Sequence, residues 1–300
     1  MRNKNTYIIE MTGGLGNQMF QYAFGKALEC KYSNDTIKYD CSYYSVSNAI
    51  RSYSLYDAFG VDIKIANKTQ VSLLRNNNPY DSELNRIANS FIRKALFRKP
   101  NEIIEDLDAI CFGKIPDLDR DTYFSGYWQC EKYFKNLRSK IIRDFSFKLD
   151  GTSKDFLELM DRVKHGNSVA IHVRLEDYLN EENRKVYGNI CDSHYYDSAV
   201  SYIAANAGKC NYYVFSTDID SAMKLLPKGN EYIPIEYDCQ KDYLDMYLMT
   251  ICKHNIIANS TFSWWGAWLN NNPNRIVVCP KKWFNNHEVY NQYCESWIKV

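Results

Sequence analysis

The sequence predicts an α/β protein built as two Rossmann-like domains facing each other across a cleft, and three observations lead there. Short apolar runs alternate with stretches of helical periodicity, the pattern of a mostly parallel sheet covered on both faces. Polar clusters directly follow several of these runs, and ligands of open α/β sheets bind outside the carboxyl ends of the strands. A chain of 300 residues has room for two substantial cores. The segment Lys148-Leu-Asp-Gly-Thr-Ser-Lys is the expected junction, giving domains over 1–150 and 151–300.

Taken in order, Tyr7-Ile-Ile-Glu-Met reads as a strand and Thr12-Gly-Gly-Leu-Gly-Asn-Gln as a tight loop. From Gln18 to about Tyr32, Phe20, Ala23, Phe24, Ala27 and Leu28 recur at helical spacing. Thr36 to Asp40 is a second strand, which makes the opening a βαβ-like unit. Residues 64–110 are weakly patterned, with the turn-rich Asn76-Asn-Asn-Pro-Tyr and a helical stretch from about Ser82 to Phe97. The charges in and beside that stretch (Arg86, Arg93, Lys94, Arg98, Lys99) fit a solvated face better than a membrane-docking one. A strand over Thr122–Tyr127 runs into Trp128-Gln-Cys-Glu-Lys-Tyr-Phe, which is expected to start a helix. Beyond the junction, strands are expected at 168–173, 211–216, 231–236, 255–258 and 275–279, and helices near 193–207, 219–226, 241–253 and 263–270.

Composition narrows the function. Hydrophobic residues make up 45% and charged residues 24%, and the net charge of +1 supplies no field for nucleic acid. The 25 tyrosines suit carbohydrate surfaces, but core packing accounts for most of them. Ten cysteines are scattered without a C-x-x-C pair or metal-ligand spacing, so reduced thiols and a cytoplasmic location are expected. The first strand, of about five residues, is too short for a signal-peptide core. No apolar run approaches the roughly 20 residues that cross a bilayer.

Four segments carry chemistry. Ser168-Val-Ala-Ile leads into His172-Val-Arg-Leu-Glu-Asp-Tyr, which puts an imidazole, a guanidinium and carboxylates at a strand end. The Arg174 fork can grip two phosphate oxygens, or the cluster can be a structural ion pair. In the glycine loop, Gly14 and Gly16 permit close ligand approach and positive φ, although a turn requirement explains them equally well. The spacing is neither a Walker A loop nor a dinucleotide fingerprint. Tyr213-Val-Phe-Ser-Thr-Asp ends in Asp218, whose carboxylate could accept the paired donors of guanine, but spacing alone favours a helix N-cap. Asn259-Ser-Thr-Phe-Ser-Trp-Trp follows an apolar strand, so Ser260, Thr261, Phe262 and Ser263 open a helix whose orphan N–H groups make a phosphate seat. Trp264, Trp265 and Trp268 belong to the core.

Together, Gly13-Gly-Leu-Gly-Asn-Gln, Gly126-Tyr-Trp-Gln-Cys-Glu-Lys-Tyr-Phe, His172-Val-Arg-Leu-Glu-Asp-Tyr and Asn255-Ile-Ile-Ala-Asn-Ser-Thr-Phe-Ser-Trp-Trp resemble the α-1,2-fucosyltransferases of glycosyltransferase family 11. The likeness runs from about residue 7 to Lys281-Lys-Trp-Phe. It implies a GT-B type, inverting, metal-independent enzyme that needs no cofactor and uses GDP-β-L-fucose as donor. It implies that His172 and Asp218 seat the guanine, Arg174 holds the β-phosphate, and Ser260 to Ser263 line the diphosphate. It also implies a galactose-terminated acceptor, either a free oligosaccharide or a lipid-linked precursor at the inner face of the membrane. The chain departs from the family pattern at Leu175, usually a second arginine, and at Glu176, usually uncharged; Ser216-Thr-Asp stands where Ser-Asp-Asp is frequent.

In a single displacement the acceptor hydroxyl needs a general base. Asp177 is the first candidate, and an ion pair that positions Arg174 is its alternative role. Glu181 and Glu182, read as lying on the next loop, are rivals, and Asn17 could orient the hydroxyl. Competing readings are another linkage, another GDP-sugar donor, or a non-catalytic nucleotide- or glycan-binding module.

Overall fold

Each half of the chain is organised around its own parallel sheet. The computed structural model describes residues 4–46, 51–75, 79, 88, 90, 101–106, 113–175, 181–237, 241–285 and 292–300. The chain divides into two units, Met1–Ser146 and Phe147–Val300.

Unit 1 contains β1 (Thr6–Glu10), α1 (Leu15–Lys31), β2 (Thr36–Asp40), α2 (Leu55–Phe59), α3 (Lys68–Leu74), β3 (Glu102–Ile104), β4 (Thr122–Ser125) and α4 (Arg138–Asp144). The strands lie in the order β2-β1-β4-β3, all parallel. Tyr7, Ile8 and Ile9 of β1 are fully buried, as a central strand covered on both faces requires. On α1 the five apolar positions expected from periodicity are all buried. The helix begins at Leu15, ahead of the expected Gln18, because Gly14 already serves as its N-cap in extended backbone (φ −80°, ψ −179°).

Residues 64–110 hold more structure than their patterning suggested. Asn67 and Gln70 form a capping box at the start of α3. The expected helix over 82–97 falls almost wholly outside the described residues. The strand expected to reach Tyr127 ends at Ser125, since Gly126 (φ +154°) and Trp128 (φ +57°) leave β geometry. Trp128 also does not start an α-helix: two 3₁₀ turns, Glu131–Tyr133 and Lys135–Leu137, precede α4.

Unit 2 contains α5 (Lys154–His165), β5 (Ser168–His172), α6 (Glu181–Tyr187), α7 (Ser193–Ala207), β6 (Asn211–Phe215), α8 (Ile219–Leu225), β7 (Tyr232–Pro234), α9 (Tyr243–Ile251), β8 (His254–Ile256), α10 (Thr261–Leu269), β9 (Val277–Cys279) and β10 (Ile298–Lys299). The parallel order is β10-β9-β8-β5-β6-β7. Read in chain order, the strands run outward from β5 in one direction, then restart beside β5 in the other, which is the doubly wound dinucleotide-fold order. All five β5 residues are buried. Val169 and Ile171 pack with Tyr196 and Val200 of α7, Val214, Ile256 and Val278.

Trp264, Trp265 and Trp268 are buried together on α10. Several tyrosines are core residues too, Tyr7, Tyr123, Tyr212 and Tyr213 on strands and Tyr195 and Tyr196 on α7. Among the described residues the eight cysteines form no disulfide. Among the described residues no helix is long and apolar enough to cross a membrane.

Candidate functional site

In unit 2 the direction of winding switches between β5 and β8, which opens a crevice over their carboxyl ends. His172, the last residue of β5, is 7% exposed, and its ring lies 5.9 Å from that of Phe262 in the first turn of α10. Its carbonyl accepts a 3.0 Å hydrogen bond from the Tyr196 hydroxyl, which fixes the strand end. Its Nδ1 is buried with no hydrogen-bond partner among the described residues. Burial first, and the Arg174 charge second, hold its pKa down at about 3. The ring is therefore neutral at physiological pH, able to donate from one nitrogen and accept at the other.

That shift has a consequence for stability. A base with a folded pKa below its unfolded one near 6.5 keeps its contribution above that value and loses it as pH falls toward 3. The loss should approach about 1.4 kcal/mol per pH unit for this group. Urea unfolding between pH ~7 and ~5 is expected to show a steeper acid loss in the wild type than in His172→Phe. Equal slopes would mean that the imidazole is not held neutral by the fold.

Arg174 lies just beyond β5, half-buried. The next residue, Leu175, packs against the β5–α7–β6 core, so this departure from the family pattern is absorbed as apolar contact. Glu176 and Asp177 lie outside the described residues. Glu181 is not on a loop, as the sequence suggested, but opens α6, where its carboxylate lies 3.5 Å from the exposed ammonium of Lys185 one turn later. Glu182 shares that helix, and its side chain lies outside the described set.

Across the crevice, Ser260 caps α10 in extended backbone (φ −135°, ψ 130°) without a side-chain hydrogen bond, and the first turn has no acidic residue. The orphan amides and the positive end of the helix dipole are thus left uncompensated by side chains of the first turn. Ser260, Thr261 and Phe262 are partly exposed. Ser263 is buried and directs its hydroxyl back to the Ser260 and Ala258 carbonyls, at 3.4 and 3.5 Å. Asn259 is also buried: its amide donates to the carbonyls of Tyr187 and Trp283, both at 3.1 Å, and its oxygen accepts from the Cys191 thiol. Its side chain braces the seat by tying α6 to the 283 segment.

Asp218 takes the capping role that spacing favoured. Its Oδ1 accepts the Ser221 N–H at 3.0 Å at the start of α8, and hydrogen bonding by Ser221 lowers its pKa. The carboxylate is exposed beyond β6, the strand that pairs with β5.

Unit 1 has its own switch point, between β1 and β4, and the glycine loop lies there. Positive φ is required at Gly13 (+78°), where a Cβ would meet the Asn17 amide at 2.5 Å, and not at Gly14. Gly16 is buried within α1. The sequence reading missed what holds this loop. Gln18 donates to the Gly13 and Ser52 carbonyls at 3.1 and 2.8 Å. Gln21 accepts the Thr12 N–H at 3.1 Å and donates to the Gly126 carbonyl at 3.1 Å, and Gln129 donates to Asn17 Oδ1 at 3.0 Å. The signal was available: Gln18 and Gln21 sit among apolar helical positions and are fully buried.

These features can be set beside known proteins. The model of glycosyl transferase family 11 matches residues 1–300. An α-1,2-colitosyltransferase of Escherichia coli is 32% identical over 98% of this chain and 98% of its own length. The O-antigen biosynthesis glycosyltransferase WbnK of Escherichia coli is 30% identical over 97% and 99%. Among solved structures, fucosyltransferase NodZ from Bradyrhizobium superposes with a TM-score of 0.50 at 14% identity, over 88% of this chain and 92% of that one. That last likeness bears on the fold, which is of the GT-B type. Matched along its whole length, the chain belongs to glycosyl transferase family 11.

Proposed function

We propose that this glycosyltransferase is an inverting α-1,2-fucosyltransferase that moves L-fucose from GDP-β-L-fucose to the 2-hydroxyl of a terminal galactoside. The observation that carries the reading is the approach of His172 to Phe262 in the first turn of α10, whose N-cap Ser260 makes no side-chain hydrogen bond, over the β5/β8 switch point, with Arg174 two residues beyond His172. It offers a guanidinium fork and helix amides to a diphosphate, and a buried neutral imidazole to a base.

In this reading the acceptor oxygen forms its bond to C1 of fucose on the face opposite GDP. The C1–O bond breaks and its electron pair leaves on the β-phosphate. Arg174 and the amides of residues 261–263 hold the growing negative charge, so no metal ion is needed. His172 and the free edge of the Asp218 carboxylate receive the guanine. The acceptor proton passes to a base, with Asp177 the first candidate and Glu181 and Glu182 its rivals, while Asn17 orients the hydroxyl. Unit 2 binds the donor and unit 1 the acceptor, a galactose-terminated glycan that is free or lipid-linked at the inner membrane face.

A second reading keeps the α-1,2 linkage and changes the donor to a colitosyl one, favoured by the 32% identical relative. Incubation with GDP-fucose and with a colitosyl donor, each with β-galactosides and EDTA, distinguishes them. The expected result is GDP release with a product carrying one added fucosyl group at O2, unaffected by chelation. Transfer from the colitosyl donor alone would replace the first reading with the second. Absence of transfer from either, with GDP still bound, would favour a binding module.

A further inference from the structure

We infer that the loop Gly126-Tyr-Trp-Gln129 is the platform on which unit 1 receives the acceptor sugar, with Tyr127 stacking on the terminal pyranose and Glu105 as the residue that positions it. This rests on the transferase reading above. Glu105 follows the last residue of β3, and its Oε2 accepts the backbone N–H groups of both Tyr127 and Trp128 at 2.7 Å. Its Oε1 is buried with no hydrogen-bond partner among the described residues.

The two bonds hold a backbone that would not persist alone. Gly126 has φ +154°, and a Cβ there would come within 2.4 Å of Glu105 Cβ, so only glycine lets the carboxylate approach. Trp128 is a non-glycine residue at φ +57°, the kind of strain that concentrates at functional sites. Its ring is locked face to face on Phe24, with centroids 4.2 Å apart and planes 7° apart. Gln21 holds the Gly126 carbonyl, and Gln129 reaches Asn17.

Every neighbour of Tyr127 in the loop is thus anchored inward, and Trp128 is 4% exposed. Tyr127 remains 42% exposed. Its hydroxyl turns back to the Thr12 side chain and is desolvated there, so the ring lies against the glycine loop with part of its surface in solvent. Here the ring stands at the carboxyl end of β4, beside the β1/β4 switch point and the glycine loop, where a parallel sheet presents ligands. With its hydroxyl held by Thr12, the phenol offers the exposed part of its apolar ring to pyranose C–H groups, which suits stacking on a β-linked terminal hexose.

The test is calorimetric binding of methyl β-galactoside to the full chain saturated with GDP, which does not depend on turnover. Tyr127→Ala and Glu105→Ala are each expected to weaken glycan binding by about tenfold, as loss of a stacked ring does, with GDP affinity unchanged. Tyr127→Phe should bind near wild type. Glu105→Gln should be close to it as well, because its carbonyl can accept the same two N–H groups. Wild-type glycan affinity in folded Tyr127→Ala would overturn the assignment, and so would absence of galactoside binding to the wild type. Should Glu105→Ala fail to fold, the exposed Tyr127 variant decides. Failure of the transferase reading shows separately, as Tyr127-dependent glycan binding without sugar transfer.

Discussion

Arg174→Ala is expected to lower sugar transfer by roughly 10²–10³-fold, the usual cost of removing one preorganised donor from a developing anion. In the proposed reaction the departing diphosphate gains charge in the transition state, and unit 2 would offer it two groups: the Arg174 fork after β5 and the start of α10. The helix contributes about half an elementary charge, delivered through fixed amides. The guanidinium contributes a full charge and two parallel hydrogen bonds. Arg174→Lys should recover only part of the loss, since an ammonium keeps the charge without the fork. Single-turnover kinetics read the chemical step, and GDP calorimetry reads ground-state binding. Transfer and GDP affinity both at wild-type levels in folded Arg174→Ala would remove this residue from the site.

The largest stability effect is expected from Arg75→Met, at about 3–5 kcal/mol, because it leaves buried carboxylates without their cation. Arg75 follows α3 and is buried at the carboxyl edge of the unit 1 sheet. Its Nη2 lies 2.7 Å from Glu10 Oε1, its Nη1 donates to the Tyr123 hydroxyl at 3.0 Å, and Asp40 and Glu102 stand at 3.8 and 3.7 Å. The acids are satisfied in turn: Tyr123 and Ser42 donate to Asp40, and Ser125 donates to Glu10. Methionine fills similar volume without charge, so the carboxylates would have to be solvated or protonated inside the unit. Urea unfolding should show the loss, and Glu10→Gln in the same background should recover part of it. A wild-type midpoint for Arg75→Met would mean that the cluster is electrostatically idle.

The contrast between these two arginines marks what the sequence could convey. The placement of Arg174 just past a strand end was legible because its context is local: an apolar run and an imidazole within a few residues. The strands and helices of unit 2 were legible for the same reason, since periods of 2 and 3.6 are written along the chain. Arg75 was not, because Glu10, Asp40 and Glu102 meet it only after β1, β2 and β3 are in place. Glu105 escaped likewise, as its partners Tyr127 and Trp128 reach it through backbone amides that carry no sequence signature. The short helix α3 was hidden in a stretch of weak periodicity, although Asn67 and Gln70 spell its cap. At the site itself, spacing correctly favoured Asp218 as a cap, but gave no sign that Asn259 and Ser263 turn inward to the backbone.

The most direct test is a crystal structure of the protein with GDP. The account predicts the diphosphate at the start of α10, within hydrogen-bonding distance of the amides of residues 261–263 and of the Arg174 guanidinium, with guanine near His172. Ordered GDP anywhere else on the chain, with the β5/β8 crevice filled only by water, would contradict it.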